Sequence, residues 1–137
     1  MKLCSACLLG INCRYDGESK PNEKVIELSK KETLIPVCPE QLGGLRTPRE
    51  ASEQKDGKVF TKTGVEVTTQ FKKGAEEVLK TAKRLGIKEA ILKQRSPSCG
   101  CGQIYNGNFD GTIIEGDGVT TKLLKENGIK VISEEEL

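Results

Sequence analysis

The chain contains no histidine and no tryptophan, and aromatic residues make up only 4% of its 137 positions. The absence of histidine excludes imidazole metal ligands, histidine general bases and the usual nucleophilic triads. Acid–base chemistry must therefore come from Asp, Glu, Lys, Tyr or thiol groups, or from metal-bound water. The scarcity of aromatic residues means that the core is built from Leu, Ile, Val and Ala.

Long hydrophobic runs and a strong charge imbalance are also missing. Residues 3–11 are apolar, but this run is too short for a signal sequence and far too short to span a bilayer. We therefore expect a cytoplasmic protein with no membrane partner. The 22 Lys and Arg residues are interspersed with 20 Asp and Glu residues, so nucleic acid is not the expected partner. The hydrophobic content of 35% is that of a globular fold rather than a disordered chain.

Strand and helix patterns alternate along the chain. Strands are predicted at residues 2–7, 34–37, 89–93 and 129–132, and helices at 22–31, 69–85 and 117–127. The helix at 69–85 has the clearest 3.6-residue period, and Gly86 is expected to end it. This order predicts a single α/β domain over residues 1–137, Rossmann-like, with a mainly parallel sheet flanked by helices.

Three shorter elements are predicted between these. The TPRE motif at residues 47–50 has the form of a capping box, which predicts a short helix or turn with Arg49 and Glu53 paired across it. Residues 58–62 and 65–67 are expected to form a hairpin. The Asn-Gly pair at 106–107 predicts a tight hairpin turn between residues 104–105 and 108–109.

The six cysteines are the most informative residues, because thiols in a reducing compartment serve metal binding or catalysis more often than disulfides. Cys7, Cys38 and Cys99 each follow a predicted strand, in the motifs SACLLG, CPEQLGG and SPSCG. The carboxyl ends of parallel strands meet at one edge of a sheet, where α/β proteins bind ligands. Three thiolates at that edge would hold a metal centre with an open coordination position, which is typical of catalytic sites.

The remaining cysteines leave alternatives open. Cys4 and Cys7 form a C-x-x-C pair, which by itself is typical of a redox couple or half of a zinc site. On a strand over residues 2–7 these two side chains would point to opposite faces, so Cys4 is expected in the core. A structural zinc site, or a complete cluster with Cys4, Cys13 or Cys101 as fourth ligand, would make the protein a metal-stapled binding or electron-transfer module instead.

Further motifs accompany the cysteine loops in a fixed order: RYDG at 14–17, GG at 43–44, PR at 48–49, Lys93, and IY at 104–105. Together with the cysteine loops they resemble the DUF523 family over nearly the whole chain. That family includes the thiouracil desulfidases. The resemblance implies a hydrolase or lyase that releases sulfide from a small thiolated nucleobase or nucleoside, and a thiolated tRNA presents the same C=S group.

The resemblance also implies a cofactor and site residues. It implies a [4Fe-4S] cluster held by Cys7, Cys38 and Cys99, whose fourth iron takes the substrate sulfur. It implies catalytic roles for Glu40 and for a serine of the third loop, either Ser96 or Ser98. The residue chemistry agrees, because soft sulfur binds iron well, a carboxylate can accept a proton from water, and hydroxyl groups can stabilise developing charge.

Overall fold

A four-stranded parallel sheet forms the centre of the protein in a computed structural model that describes residues 1–137. In chain order the strands are β1 (Lys2–Ser5), β2 (Leu34–Val37), β3 (Ser52–Lys55), β4 (Lys58–Thr61), β5 (Glu89–Leu92), β6 (Gln103–Tyr105), β7 (Ile113–Glu115) and β8 (Lys130–Ser133). The helices are α1 (Glu23–Ser29), α2 (Pro39–Leu42), α3 (Thr68–Leu85) and α4 (Val119–Glu126), with 3₁₀ turns at Ala6–Leu9 and Glu134–Glu136. The sheet order is β2–β1–β5–β8, which confirms the predicted α/β class.

Successive side chains of β1 belong to two different core clusters, one on each face of the sheet. Leu3 belongs to a cluster of 11 buried residues that includes Val78 of α3 and Leu124 of α4. Cys4 belongs to a cluster of 8 buried residues that includes Val25 of α1, so this cysteine is a core residue as predicted. The two clusters follow from the alternation of side chains along a strand. No helix of the structure is long and apolar enough to cross a membrane.

Helix α3 has the predicted periodicity and ends at Gly86, which adopts φ 68°. Helix α3 also makes a close contact with the short helix α2. A Cβ atom at Gly74 would overlap the carbonyl oxygen of Pro39, and one at Gly43 would overlap the carbonyl oxygen of Gln70. Only glycine at these two positions lets the backbones of α2 and α3 touch, and this contact fixes α2 at the edge of the sheet.

Of the short helix or turn predicted at residues 47–50, the helix does not form. The Thr47 hydroxyl accepts hydrogen bonds from the side chains of Gln41 (2.8 Å) and Arg49 (2.9 Å), and the Glu50 carboxylate accepts one from Thr63 (3.0 Å). The polar groups that would cap a helix are thus bonded elsewhere, and the segment is a bend.

Both predicted hairpins have different strands from those expected. Strand β4 pairs with β3 around Asp56-Gly57. Residues 65–67 form no strand, but they lie antiparallel to β4 through the bridge between Phe60 and Glu66 and two backbone hydrogen bonds of 2.8 and 2.9 Å. The polar sequence of β3 gave no strand pattern. Strand β6 pairs with β7 and not with residues 108–109. A loop over residues 106–112 connects β6 to β7, in place of the predicted tight turn.

The boundaries of several elements also differ from the predictions by a few residues. Strand β1 ends at Ser5 instead of residue 7, and β8 begins and ends one residue later than expected. Helix α4 begins at Val119 without a side-chain cap. Asp117, at the predicted start of this helix, instead accepts a hydrogen bond from the Gly102 N–H (2.9 Å) and pairs with Lys125 (3.2 Å).

Candidate functional site

A cavity of about 540 Å³ lies at the carboxyl edge of the parallel sheet. This volume is within the range of roughly 300–1,000 Å³ that is usual for small-molecule sites. The residues predicted as site residues all line it: Cys7, Cys38, Cys99, Glu40, Ser96 and Ser98. The structure therefore brings together six side chains that lie up to 92 positions apart in the sequence, from Cys7 to Cys99.

The three cysteines reach the cavity because β2, β1 and β5 are neighbours in the sheet. Cys7 lies in the 3₁₀ turn that follows β1, Cys38 lies between β2 and α2, and Cys99 lies in the loop after β5. Because β1 ends at Ser5, the turn and not strand alternation sets the direction of Cys7. The turn ends at Gly10 with φ 92°, a conformation that favours glycine.

A fourth thiol, Cys13, also lines the cavity. The Cys38 thiol donates to the Cys13 carbonyl oxygen at 3.6 Å, which places Cys13 beside Cys38. The sequence gave no reason to place Cys13 here, because no small-residue loop follows a strand at this position. The other two cysteines lie outside the cavity: Cys4 is in the core, and the Cys101 thiol contacts the Val131 carbonyl oxygen at 3.5 Å.

Neighbouring thiols and burial raise the pKa values of Cys13, Cys38 and Cys99, and these three thiols are protonated in the cluster-free chain. Burial raises the pKa of Cys99 to about 12, and the hydrogen bond with Cys13 together with burial raises the pKa of Cys38 well above its ordinary value. The hydrogen bond with Cys38 lowers the pKa of Cys13, but the hydrogen bond with Cys7 and burial outweigh it and leave that pKa at about 11. Binding of a metal centre therefore has to displace protons.

The thiols fit an iron–sulfur cluster better than a single ion. No three Cys, Asp or Glu side chains converge closely enough to hold one metal ion, so the structure gives no support to a structural zinc site. In a cluster each thiolate binds its own iron, and the ligands need not meet at one point. Thiolates are the ligands that iron–sulfur clusters prefer. Cys7, Cys38 and Cys99 are therefore a suitable donor set for such a cluster.

Glu40 is the acidic group of the cavity with the most defined geometry. Helix α2 starts with Pro39, which suits the first helical position, and carries Glu40 in its first turn. One carboxylate oxygen accepts a hydrogen bond from Arg49 Nε at 3.0 Å, and the other accepts one from the Ser98 hydroxyl at 3.1 Å. The side chains of Glu40 and Arg49 are 14% and 8% exposed, so this is a nearly buried ion pair. Its geometry fixes the orientation of the carboxylate.

The two serines of the third loop form a chain that ends at Glu40. The hydroxyl groups of Ser96 and Ser98 lie 3.0 Å apart, and because Ser98 donates to Glu40, Ser96 is the donor between the two serines. Ser96 Oγ in turn accepts the backbone N–H groups of Ser98 (3.2 Å) and Cys99 (3.1 Å). Ser98 is 1% exposed and Ser96 is more open to the cavity.

Arg49 differs most from its expected role. It does not pair with Glu53 but with Glu40, and it also donates to the carbonyl oxygens of Cys13 (2.8 Å) and Arg46 (3.2 Å). A buried guanidinium with several acceptors is a well-satisfied anchor. The PR motif at residues 48–49 was the only sequence feature that pointed to this residue.

The lining of the cavity is predominantly cationic. Six cationic side chains line it, against the carboxylates of Glu40 and Glu53: Arg14, Lys20, Arg49, Lys62, Lys93 and Arg95. Lys93 also pairs with the buried Glu134 at 3.1 Å, and Arg95 pairs with Glu135. An excess of positive charge around a cavity favours anionic occupants, including a thiolate-bound cluster.

Comparisons with known proteins point the same way as this geometry. The family model described as 2-thiouracil desulfurase matches residues 3–136. The curated protein named "Uncharacterized protein YbbK", from Bacillus subtilis (strain 168), is 45% identical over 147 aligned positions, which cover 100% of this chain and 97% of that protein. A solved structure described as "[4Fe-4S]-dependent thiouracil desulfidase TudS (DUF523Vcz)" is 45% identical with a TM-score of 0.94, and the match covers 99% of this chain and 91% of that one.

Proposed function

This chain belongs to the 2-thiouracil desulfurase family and is a desulfidase, and from that premise we propose the details of its reaction. The substrate is a small thiolated pyrimidine of the thiouracil or thiouridine type. The cofactor is a [4Fe-4S] cluster held by Cys7, Cys38 and Cys99. The reaction is a hydrolysis without net redox change, in which C=S and water give C=O and hydrogen sulfide.

One observation supports this proposal above all others. Three thiols from the ends of three neighbouring strands line the same cavity as a carboxylate that is hydrogen-bonded to a serine. The thiols can bind a cluster, and the carboxylate and hydroxyl groups can serve the acid–base steps of a hydrolysis. The structure of a 45% identical [4Fe-4S]-dependent desulfidase supports the same assignment.

A cluster held by Cys7, Cys38 and Cys99 would supply a soft Lewis acid for the thiocarbonyl sulfur and for the departing sulfide. The chain's own residues supply the rest of the chemistry. Arg49 and Ser98 hold the two oxygens of Glu40, so the carboxylate is oriented before the substrate arrives.

We assign Glu40 as the general base that accepts a proton from the water attacking the ring carbon. Ser96, the more open of the two serines, then contacts the substrate and stabilises the charge that develops on the ring. Ser98 links Ser96 to Glu40, so a proton can pass along these hydroxyl groups to the carboxylate. As the carbon–sulfur bond breaks, the proton held by Glu40 and the proton of the new hydroxyl group on the ring carbon both go to the sulfur, so C=S and water give C=O and hydrogen sulfide.

The test is anaerobic reconstitution of the protein with iron and sulfide, followed by an assay of sulfide release from 2-thiouracil and 4-thiouracil. We expect stoichiometric uracil and sulfide, with no external reductant. Cluster-loaded protein that releases no sulfide from any thiolated pyrimidine base or nucleoside would disprove the proposal.

The ligand set is tested with alanine variants of Cys7, Cys38 and Cys99, each expected to lose the visible absorption of the cluster. Cys101→Ala is the matched control, because this thiol lies outside the cavity and should leave cluster binding unchanged. An unchanged cluster spectrum in any of the three ligand variants would remove that cysteine from the assignment.

A further inference from the structure

Aromatic side chains are concentrated at the cavity. The whole chain has two Tyr and three Phe residues and no Trp. Tyr15, Tyr105 and Phe109 line the cavity, whereas Phe71 is buried in a separate core cluster. Aromatic side chains contribute most where they stack on flat partners, and a site with so many of them suits a planar ligand.

Of these three aromatic residues, Phe109 is the one that lies on the loop after strand β6. The Tyr15 ring is already faced by the Arg14 guanidinium, 5.5 Å from the ring centroid. Neither Tyr105 nor Phe109 belongs to a core cluster, but Tyr105 is part of strand β6, whereas Phe109 lies on the loop over residues 106–112. Phe109 is therefore held at the cavity by its loop and not by a strand or a core cluster.

The backbone of Phe109 is held in an unfavourable conformation. Its φ of 54° lies in the left-handed region, which is uncommon for a bulky residue other than glycine. Strain of this kind persists only where surrounding contacts impose it, and such contacts are concentrated at functional sites.

Glu53 makes the contact that imposes this conformation. One of its carboxylate oxygens accepts hydrogen bonds from the backbone N–H groups of Gly107 (3.0 Å) and Phe109 (3.1 Å). Lys55, on the same strand, donates to the side chain of Asn108 at 2.7 Å. A Cβ atom at Gly107 would lie 2.6 Å from the Gln54 carbonyl oxygen, so the loop packs directly on β3.

We propose that Phe109 provides the ring face on which the substrate pyrimidine stacks, and that Glu53 is the positioning residue that holds Phe109 there. The inference rests on the proposed function, because that function supplies the planar ring. It assigns the wall of the cavity formed by the loop over residues 106–112 to recognition of the ring, separately from the chemistry at Glu40.

The effect of losing the ring face is measured with the reconstituted enzyme and two ligands, 4-thiouracil and uracil. Replacing an aromatic side chain that stacks on a base by alanine weakens binding by about 5- to 150-fold. We expect Phe109→Ala and Phe109→Leu to raise the KM for 4-thiouracil and the inhibition constant of uracil at least fivefold, with little change in kcat. Phe109→Tyr keeps the ring and should retain wild-type values.

Glu53 is tested by a readout that does not depend on turnover. In Glu53→Ala we expect faster amide hydrogen exchange in residues 106–112 and the same rise in KM as in Phe109→Leu. Glu53→Gln keeps one carbonyl oxygen as acceptor and should be intermediate. Glu50→Ala is the matched control, because Glu50 is exposed, contacts only Thr63 and does not line the cavity.

The possible outcomes separate this inference from the proposed function. Inactive wild-type enzyme would refute the function, whereas active wild-type enzyme with unchanged KM and uracil inhibition in Phe109→Leu would refute only the stacking role. Unchanged exchange in Glu53→Ala would refute the positioning role. Phe109→Leu and Phe109→Tyr are compared by circular dichroism, so a folding defect in the alanine variant does not affect the conclusion.

Discussion

At the scale of single residues, the site depends on how a carboxylate is held. Both carboxylate oxygens of Glu40 accept hydrogen bonds, one from the Arg49 guanidinium at 3.0 Å and the other from the Ser98 hydroxyl at 3.1 Å. The same arginine donates to the Cys13 carbonyl oxygen, next to the thiols. The acid–base group and the cysteine loops are thus connected by hydrogen bonds, so a change in the position of one also affects the position of the other.

We predict that Glu40→Gln keeps the cluster but lowers kcat at least about 100-fold, because glutamine cannot accept the proton of the attacking water. Ser98→Ala should lower kcat by a smaller factor. If the hydroxyl acts through Glu40, adding Ser98→Ala to Glu40→Gln costs nothing further, which a double-mutant cycle measures. Glu50→Gln serves as the control. Additive losses would show that the serine acts independently of the carboxylate.

At the scale of elements, the short helix α2 presents Glu40, and its position depends on two glycines. Gly43 follows α2 and Gly74 lies within α3, and each leaves room for a backbone carbonyl oxygen of the facing segment. The contact between these helices is made by backbone atoms and so leaves no side chain that could adjust. A single added methyl group therefore has to move one helix.

We predict that Gly74→Ala destabilises the protein by about 1–3 kcal/mol through overpacking. This is opposite to helix propensity, which favours alanine over glycine by about 1 kcal/mol. Catalysis should fall as well, because α2 carries Glu40. Urea denaturation of the cluster-free protein measures the free energy of unfolding. Lys73→Ala, at an exposed position of the same helix, is the control and should change it little; a stabilised Gly74→Ala would show that α2 can shift without cost.

At the scale of the whole molecule, the cavity lies between loops that are connected to one another only through the strands they follow. The three cysteine loops follow β2, β1 and β5, and the loop after β5 is tied to the C-terminal turn. Glu134 accepts a hydrogen bond from the Gln94 N–H at 2.7 Å and pairs with Lys93 at 3.1 Å. A cluster bound to all three loops would cross-link these segments.

We predict that cluster loading stabilises the fold by at least about 2 kcal/mol, because a group that binds the folded chain and not the unfolded chain shifts the equilibrium toward the folded state. Anaerobic urea denaturation of loaded and cluster-free protein measures the difference. Cys99→Ala should abolish the difference and Cys101→Ala should preserve it. Equal stabilities of the loaded and cluster-free wild-type protein would contradict a cross-linking role.

The sequence predicted the elements whose pattern is local. Asn22 caps α1 by accepting the Val25 N–H at 3.1 Å, and Gly86 ends α3, as their residue types indicate. Pro36 lies on β2, an edge strand of the sheet, where a missing N–H is tolerated. The placement of the cysteine loops followed from the strand order, because parallel strands deliver their following loops to one edge.

The errors have a common physical cause. The TPRE segment had the polar groups of a helix cap, but Gln41, Arg49 and Thr63 compete for those groups. The Asn-Gly pair had the pattern of a tight turn, but Glu53 captures the N–H groups of Gly107 and Phe109 and holds a longer loop. In each case a side chain from outside the motif, Gln41 or Thr63 for the first and Glu53 for the second, outweighed a local preference.

The sequence by itself determined the chain order of the four strands of the parallel sheet and the three longer helices, the presence of three cysteine loops at one sheet edge and the absence of imidazole chemistry. Only the tertiary structure decided which groups meet there. Ser98 reaches Glu40 across 58 positions, the Phe109 N–H reaches Glu53 across 56, and Cys13 joins the thiols without any motif of its own. Periodicity and turn propensity act over a few residues, whereas these contacts exist only because the folded sheet and its helices bring distant segments within hydrogen-bonding distance.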